Sequence, residues 1–144
     1  MSFKDATLSE VDSAVQEAHV AFLSYKNFSG KKKAAFLRAI ADEIEALGDE
    51  LVKTAMSETN LPEARIIGER GRTTGHCRMF ADYIEEGSWV EARVDTAIPD
   101  RTPVPKPDIR KKLVPLGPVV VFGAANFPLA YSTAGGDTAS ALAA

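Results

Sequence analysis

Cysteine is almost missing from this chain. Cys77 is the single one among 144 residues, so no internal disulfide can form and nothing points to an oxidising compartment. Histidine is nearly as scarce: His19 and His76 stand far apart, neither with a second ligand at metal spacing, so no metal site is expected. No run of about 18 apolar residues occurs of the kind a bilayer crossing needs. The opening MSFKDATLSE is charged where a signal peptide carries an apolar segment, so neither membrane insertion nor export is expected. The reading is a soluble, cytoplasmic protein. Excess basic charge is absent too: 17 Lys and Arg against 20 Asp and Glu leave a net charge of −3, which gives no electrostatic ground for a nucleic-acid partner. The one basic cluster, Lys31-Lys32-Lys33, opens a helix and reads as a solvated face.

What is present suffices for one ordinary core, since 45% of the residues are hydrophobic, but not for a large multidomain enzyme. Residues 1–87 read as mainly helical. Leu8, Val11, Val15, Ala18 and Phe22 recur at steps of three and four, and Thr7 with Glu10 has the spacing of a capping box. A second helix starts after Ser29, buries Ala34, Leu37, Ile40, Ile44 and Leu47, and stops at Gly48, which supplies a left-handed residue. A third spans Asp49 to about Glu58 and is broken by TNLP. After Pro62 a longer fourth helix runs to about Glu86, with Ile67, Gly71, Thr74, Phe80 and Ile84 on one side. Gly68, Gly71 and Gly75 each weaken that helix by up to about 1 kcal/mol relative to Ala, and close packing against a neighbouring backbone is the expected compensation. Among Arg65, Arg70, Arg72 and Arg78, most should be solvated or pair with acids, leaving room for one to face a cleft.

Residues 88–114 change character. SWVEARVDTA alternates like a half-buried strand, IPDRTPVPKPD holds four prolines in residues 99–107, and IRKKLVPLGP reads as an edge strand. The segment is expected to project as an antiparallel arm and to serve oligomerisation. In residues 115–144, VVVF is apolar on both faces, as in a parallel strand covered by helices, and a small-residue helix is expected from Pro128 onward. The closing YSTAGGDTASALAA has no cap, proline or polar tail, and on that pattern the chain reads as a fragment. The expected class is α/β: helices packed on a parallel, Rossmann-like sheet with an antiparallel arm.

Asn126 stands where the strand should hand over to the helix. Ligands of open α/β sheets bind at such places, and the unpaired N–H groups of a first helical turn would join the Asn126 amide around one small space suited to negative charge. A plain alternative has Asn126 making an Asx turn on its own backbone. A glycine-rich dinucleotide fingerprint is absent, because Gly123 is followed by Ala124, Ala125 and Asn126. Asp137 reads as a hydrogen-bonding residue at a packed junction, and Cys77 as a small buried hydrophobe.

PLGPVVVFGAANFPLAYSTAGGDTASALAA resembles the start of the cofactor domain of the aldehyde dehydrogenases, and FGAANFPLA with AGGDTASALAA is most similar to the branch acting on 2,5-dioxopentanoate (α-ketoglutaric semialdehyde). The resemblance is specific over about 115–144 and architectural before that. It implies that residues 1–144 are an incomplete N-terminal part of the cofactor-binding domain. It implies NADP or NAD as cofactor, a small aldehyde as substrate and a homo-oligomer. By the same resemblance Asn126 is the oxyanion-hole amide, and Phe122, Gly123, Ala124 and Ala125 lie along the nicotinamide. Phe127 and Tyr131 fall at substrate-tunnel positions, and Arg72 is the first choice to pair with a substrate carboxylate. The family's nucleophilic cysteine, general-base glutamate and ribose-binding lysine have no match here, so the 144 residues alone should be inactive. Two rivals stand beside this reading: a non-enzymatic helical interaction module, and an acyl-transfer enzyme using Asn126 with another nucleophile.

Overall fold

Four helices in sequence make up the first part of the molecule, and each boundary has a local cause. In the computed structural model, which describes residues 4–144, α1 spans Leu8–Tyr25, α2 Gly30–Ala46, α3 Gly48–Thr59 and α4 Glu63–Glu86. The capping box before α1 is formed: the Thr7 N–H donates to Glu10 Oε2 at 2.7 Å, and the Glu10 N–H to Thr7 Oγ1 at 3.3 Å. Ser29 caps α2 by accepting from the Lys32 N–H at 3.2 Å. Gly48, with φ +54°, turns the chain between α2 and α3 in the left-handed conformation expected of it. Asn60 does the same after α3, and α4 follows Pro62 directly.

The core lies where α2, α4 and α5 (Gly136–Ala143) cross. Leu37, Cys77 and Ala81 meet there with Ala139 and Ala143, all buried. A second cluster joins Val52 and Ala55 of α3 to Ile66 of α4. Fully buried Leu37 and Ile66 contribute roughly 1.5–3 kcal/mol each from apolar area alone.

Several expectations about burial are corrected. On α4 the inward residues are Ile66, Glu69, Thr73, Thr74, Cys77, Ala81 and Ile84; of the expected face Thr74 and Ile84 are buried and Phe80 packs against the core, whereas Gly71 is exposed and Ile67 is 45% exposed. Gly68, Gly71 and Gly75 do not touch a neighbouring backbone: a Cβ at any of them would meet nothing within 4 Å. Leu47 is exposed rather than buried. Lys33, expected in solvent, is buried, and its Nζ donates to the Ala144 carbonyl at 3.1 Å, so only part of the basic cluster is a solvated face. The α1 stripe exists but buries none of its residues; Tyr25 ties the helix down by donating to the Leu142 carbonyl at 2.8 Å.

After a single 3-10 turn at Ser88–Val90, β1 (Arg93–Asp95) pairs antiparallel with β2 (Ile109–Lys111), and Ile98 bridges Lys106. This is the antiparallel arm, but both strands are exposed throughout, so β1 is not the half-buried strand expected of it. The parallel sheet is not found: the described sheet is this two-stranded ribbon, and Val119 to Phe122 form no strand. A strand exists only when another segment accepts its N–H groups. Among the described residues β1 and β2 pair with each other and none pairs with 119–122.

Cys77 lies in the core as expected, and burial pushes its thiol above the ordinary cysteine value. A thiol-specific reagent at neutral pH should therefore label native Cys77 slowly and unfolded Cys77 quickly. Equal rates in native buffer and in denaturant would contradict this packing.

Candidate functional site

The segment from Gly123 to Gly135 forms a closed loop rather than a strand end running into a helix. The Ala124 N–H donates to the Tyr131 carbonyl at 2.8 Å, and the Gly136 N–H to the Ala130 carbonyl at 3.1 Å. Because those carbonyls are engaged across the loop, they cannot accept from the fourth residue onward, and regular helix begins at Gly136, not near Pro128. Gly135 is required by close approach: a Cβ there would lie 2.5 Å from the Ala130 oxygen. Asp137, expected at a packed junction, is exposed in the first turn of α5.

Two α4 side chains, Arg65 and Glu69, hydrogen-bond the backbone of the loop, and neither was singled out as functional from the sequence. Glu69 is 3% exposed. Its Oε2 accepts from the N–H groups of Leu129 at 3.1 Å and Ala130 at 3.3 Å, while its Oε1 accepts from Arg65 Nε at 2.7 Å. Burial by itself would raise the Glu69 pKa; the Leu129 N–H, the Arg65 side chain and the Ala130 N–H outweigh it and hold the carboxyl below the ordinary glutamate value. The protein thus supplies its own anion to the turn after Pro128. The expectation that this turn's N–H groups are free for a ligand is overturned. Only the i,i+4 spacing of Arg65 and Glu69 hinted at the pair, and that spacing is common on helix surfaces.

Arg65 also donates through its terminal nitrogen to the Asn126 carbonyl at 3.0 Å, and its guanidinium lies 4.6 Å from the Phe127 ring centroid. Phe127 packs edge-on against Tyr131, with ring centroids 5.4 Å apart. Arg72, one further turn along α4, donates to the Tyr131 hydroxyl at 2.9 Å. The other three arginines named from sequence each have acidic partners: Arg65 with Glu69, Arg70 with Glu45, and Arg78 with Asp42. Arg72 has no carboxylate within ion-pair distance among the described residues.

The structure gathers part of the expected set. Gly123, Ala124, Ala125, Asn126 and Tyr131 line one open hollow of about 700 Å³, together with Glu58, Thr59 and Leu61. The Asn126 carboxamide makes no hydrogen bond to any described residue, so the Asx turn is not formed. Phe127 and Arg72 sit beside this hollow, joined to it through Tyr131. Phe122 stands apart, 85% exposed, next to Val119–Val121 and the start of α5.

A sequence model described as the aldehyde dehydrogenase family matches residues 1–144. The chain is 52% identical, over 99% of its length, to the α-ketoglutaric semialdehyde dehydrogenase of Acinetobacter baylyi. It is 55% identical, again over 99%, to α-ketoglutaric semialdehyde dehydrogenase 2 of Azospirillum brasilense. An N-succinylglutamate 5-semialdehyde dehydrogenase of Legionella pneumophila is 27% identical over 86% of the chain and is covered to 23% of its own length. The chain spans 27% of the length of the first two relatives. Matched over its whole length, the chain belongs to the aldehyde dehydrogenase family.

Proposed function

We propose that the whole protein oxidises a semialdehyde bearing a distant carboxylate, such as α-ketoglutaric semialdehyde, to the acid, and that this chain supplies the oxyanion amide and part of the substrate-facing wall. The observation that carries the substrate class is Arg72: a cation without an acidic partner among the described residues, hydrogen-bonded to Tyr131, which lines the same hollow as Asn126. Of the alternatives, a pure interaction module gives no reason for a carboxamide without a hydrogen bond and a guanidinium without a carboxylate beside one hollow.

In this reading Asn126 Nδ2 donates to the aldehyde oxygen, and that bond strengthens as a cysteine thiolate attacks and the oxygen becomes negative. The thiolate belongs to the rest of the protein, because Cys77 is buried in the core with its thiol held protonated. Phe127 and Tyr131 flank the substrate chain, and Arg72 takes its far carboxylate. Gly123, Ala124 and Ala125 present nothing larger than a methyl group to the hollow, which suits a flat nicotinamide ring lying along the backbone. NAD or NADP, when bound, supplies the hydride acceptor. The exposed ribbon of β1 and β2 is proposed as the element that joins subunits of a homo-oligomer.

The test is turnover by the full-length protein, followed as NAD(P)H absorbance with either cofactor. α-Ketoglutaric semialdehyde should be preferred over an uncharged aldehyde of equal length. Arg72→Met should abolish most of that preference through KM, by about tenfold or more for a lost charge-assisted bond of roughly 1.5–3 kcal/mol. Equal use of the two aldehydes by the wild type would sink the assignment.

A further inference from the structure

The Asn126 carboxamide has no hydrogen bond of its own among the described residues, so what fixes its place is the backbone that anchors it. That backbone is gripped at two points from one helix. Arg65 holds the carbonyl of residue 126 and covers the ring of residue 127; Glu69 holds the N–H groups of 129 and 130. Between the two grips lies Pro128, whose ring fixes one backbone torsion. The grips are themselves linked by the 2.7 Å Arg65–Glu69 bond, so the arginine is held by the same carboxylate that holds the turn.

The geometry points to Arg65 and Glu69 as positioning residues that aim the Asn126 amide at the reacting carbonyl oxygen and fix Phe127 beside it. This rests on the proposed oxyanion role of Asn126. Arg65 is the informative member, because its side chain is 41% exposed and, although its removal takes the ion-pair partner from the buried Glu69 carboxylate, the N–H groups of Leu129 and Ala130 still donate to that carboxylate. Loss of its bond to residue 126 frees the loop to shift, and displacements of about 1 Å at a reacting centre can cost on the order of a hundredfold in rate. A bond that only holds the fold together would act on stability and leave kcat alone.

The experiment is a double-mutant cycle on kcat in the full-length enzyme with Arg65→Met and Asn126→Ala, together with hydrogen–deuterium exchange of the peptide covering 123–131. Arg65→Met should lower kcat by about tenfold to a hundredfold with Asn126 present, but by less than about twofold with Asn126→Ala, because the residues act as a unit. Arg65→Lys, which keeps the charge but lacks the fork that reaches both Glu69 and residue 126, should fall between. Exchange in 123–131 should rise in Arg65→Met while α2 keeps its protection. The same loss in both backgrounds, or unchanged exchange in 123–131, would overturn the proposal. Undiminished activity of Asn126→Ala alone would instead remove the oxyanion reading, with the exchange result still deciding whether Arg65 holds the loop.

Discussion

Asn126→Ala in the full-length protein is expected to lower kcat by about a hundred- to a thousandfold, the effect of deleting one preorganised oxyanion donor, worth roughly 3–4 kcal/mol. KM for the aldehyde should change little, since a neutral carbonyl gains less from the bond than the charged oxygen it becomes. The side chain is exposed and bonded to no described residue, so its removal costs the fold almost nothing. A variant with native stability and strongly reduced kcat is therefore the expected result. Near-normal kcat would end the proposed role, and a large drop in stability would show that the carboxamide is engaged elsewhere.

Glu69→Ala is expected to have the largest effect on stability. It leaves the N–H groups of Leu129 and Ala130 without an acceptor, and a buried unsatisfied group costs about 1–3 kcal/mol, so the loss should be about 2–6 kcal/mol. The half-exposed Arg65 adds little to that figure because water screens it. The loss should depend on pH in a defined direction. Folding holds the Glu69 pKa below its ordinary value, so the folded protein binds fewer protons there than the unfolded chain, and stability from this group rises with pH through that window. The contribution is full above the ordinary glutamate range and disappears as pH falls through the lowered folded value. Urea midpoints of wild type and Glu69→Ala should thus be well separated at neutral pH and converge in acid. A gap that is constant with pH would mean that the carboxylate charge does not hold the turn.

The helix boundaries were readable because their causes are local. Thr7 and Glu10 satisfy each other's backbone within one turn, Gly48 terminates α2 from its own torsion, and Pro62 sets the start of α4. On α4 the inward positions of Thr74, Phe80 and Ile84 were legible from spacing, but Ile66 in place of Ile67 was not, because the two are equally apolar and only the position of α3 decides which is inward. The resemblance over 115–144 rested on the wording of the segment and so identified the family without any knowledge of its conformation.

The candidate site was half legible. Asn126, Tyr131 and the small residues before them were named from one stretch, and they do share a hollow. Glu69 was not legible, since a glutamate in an Arg- and Glu-rich helix looks like any solvated acid until the loop folds over it.

By itself the amino-acid order determined the boundaries of the first four helices, that Cys77 is core material, and to which family the chain belongs. Those properties depend on residues within a few positions of one another or on a pattern of letters. The tertiary structure alone decided that 119–122 make no strand, that 128–135 turn instead of coiling, and that α4 holds Asn126 through Arg65 and Glu69. Each of these turns on where a backbone N–H or carbonyl finds its partner: across the loop for 128–135, some sixty residues away for Arg65 and Glu69, and for the strand not among the described residues.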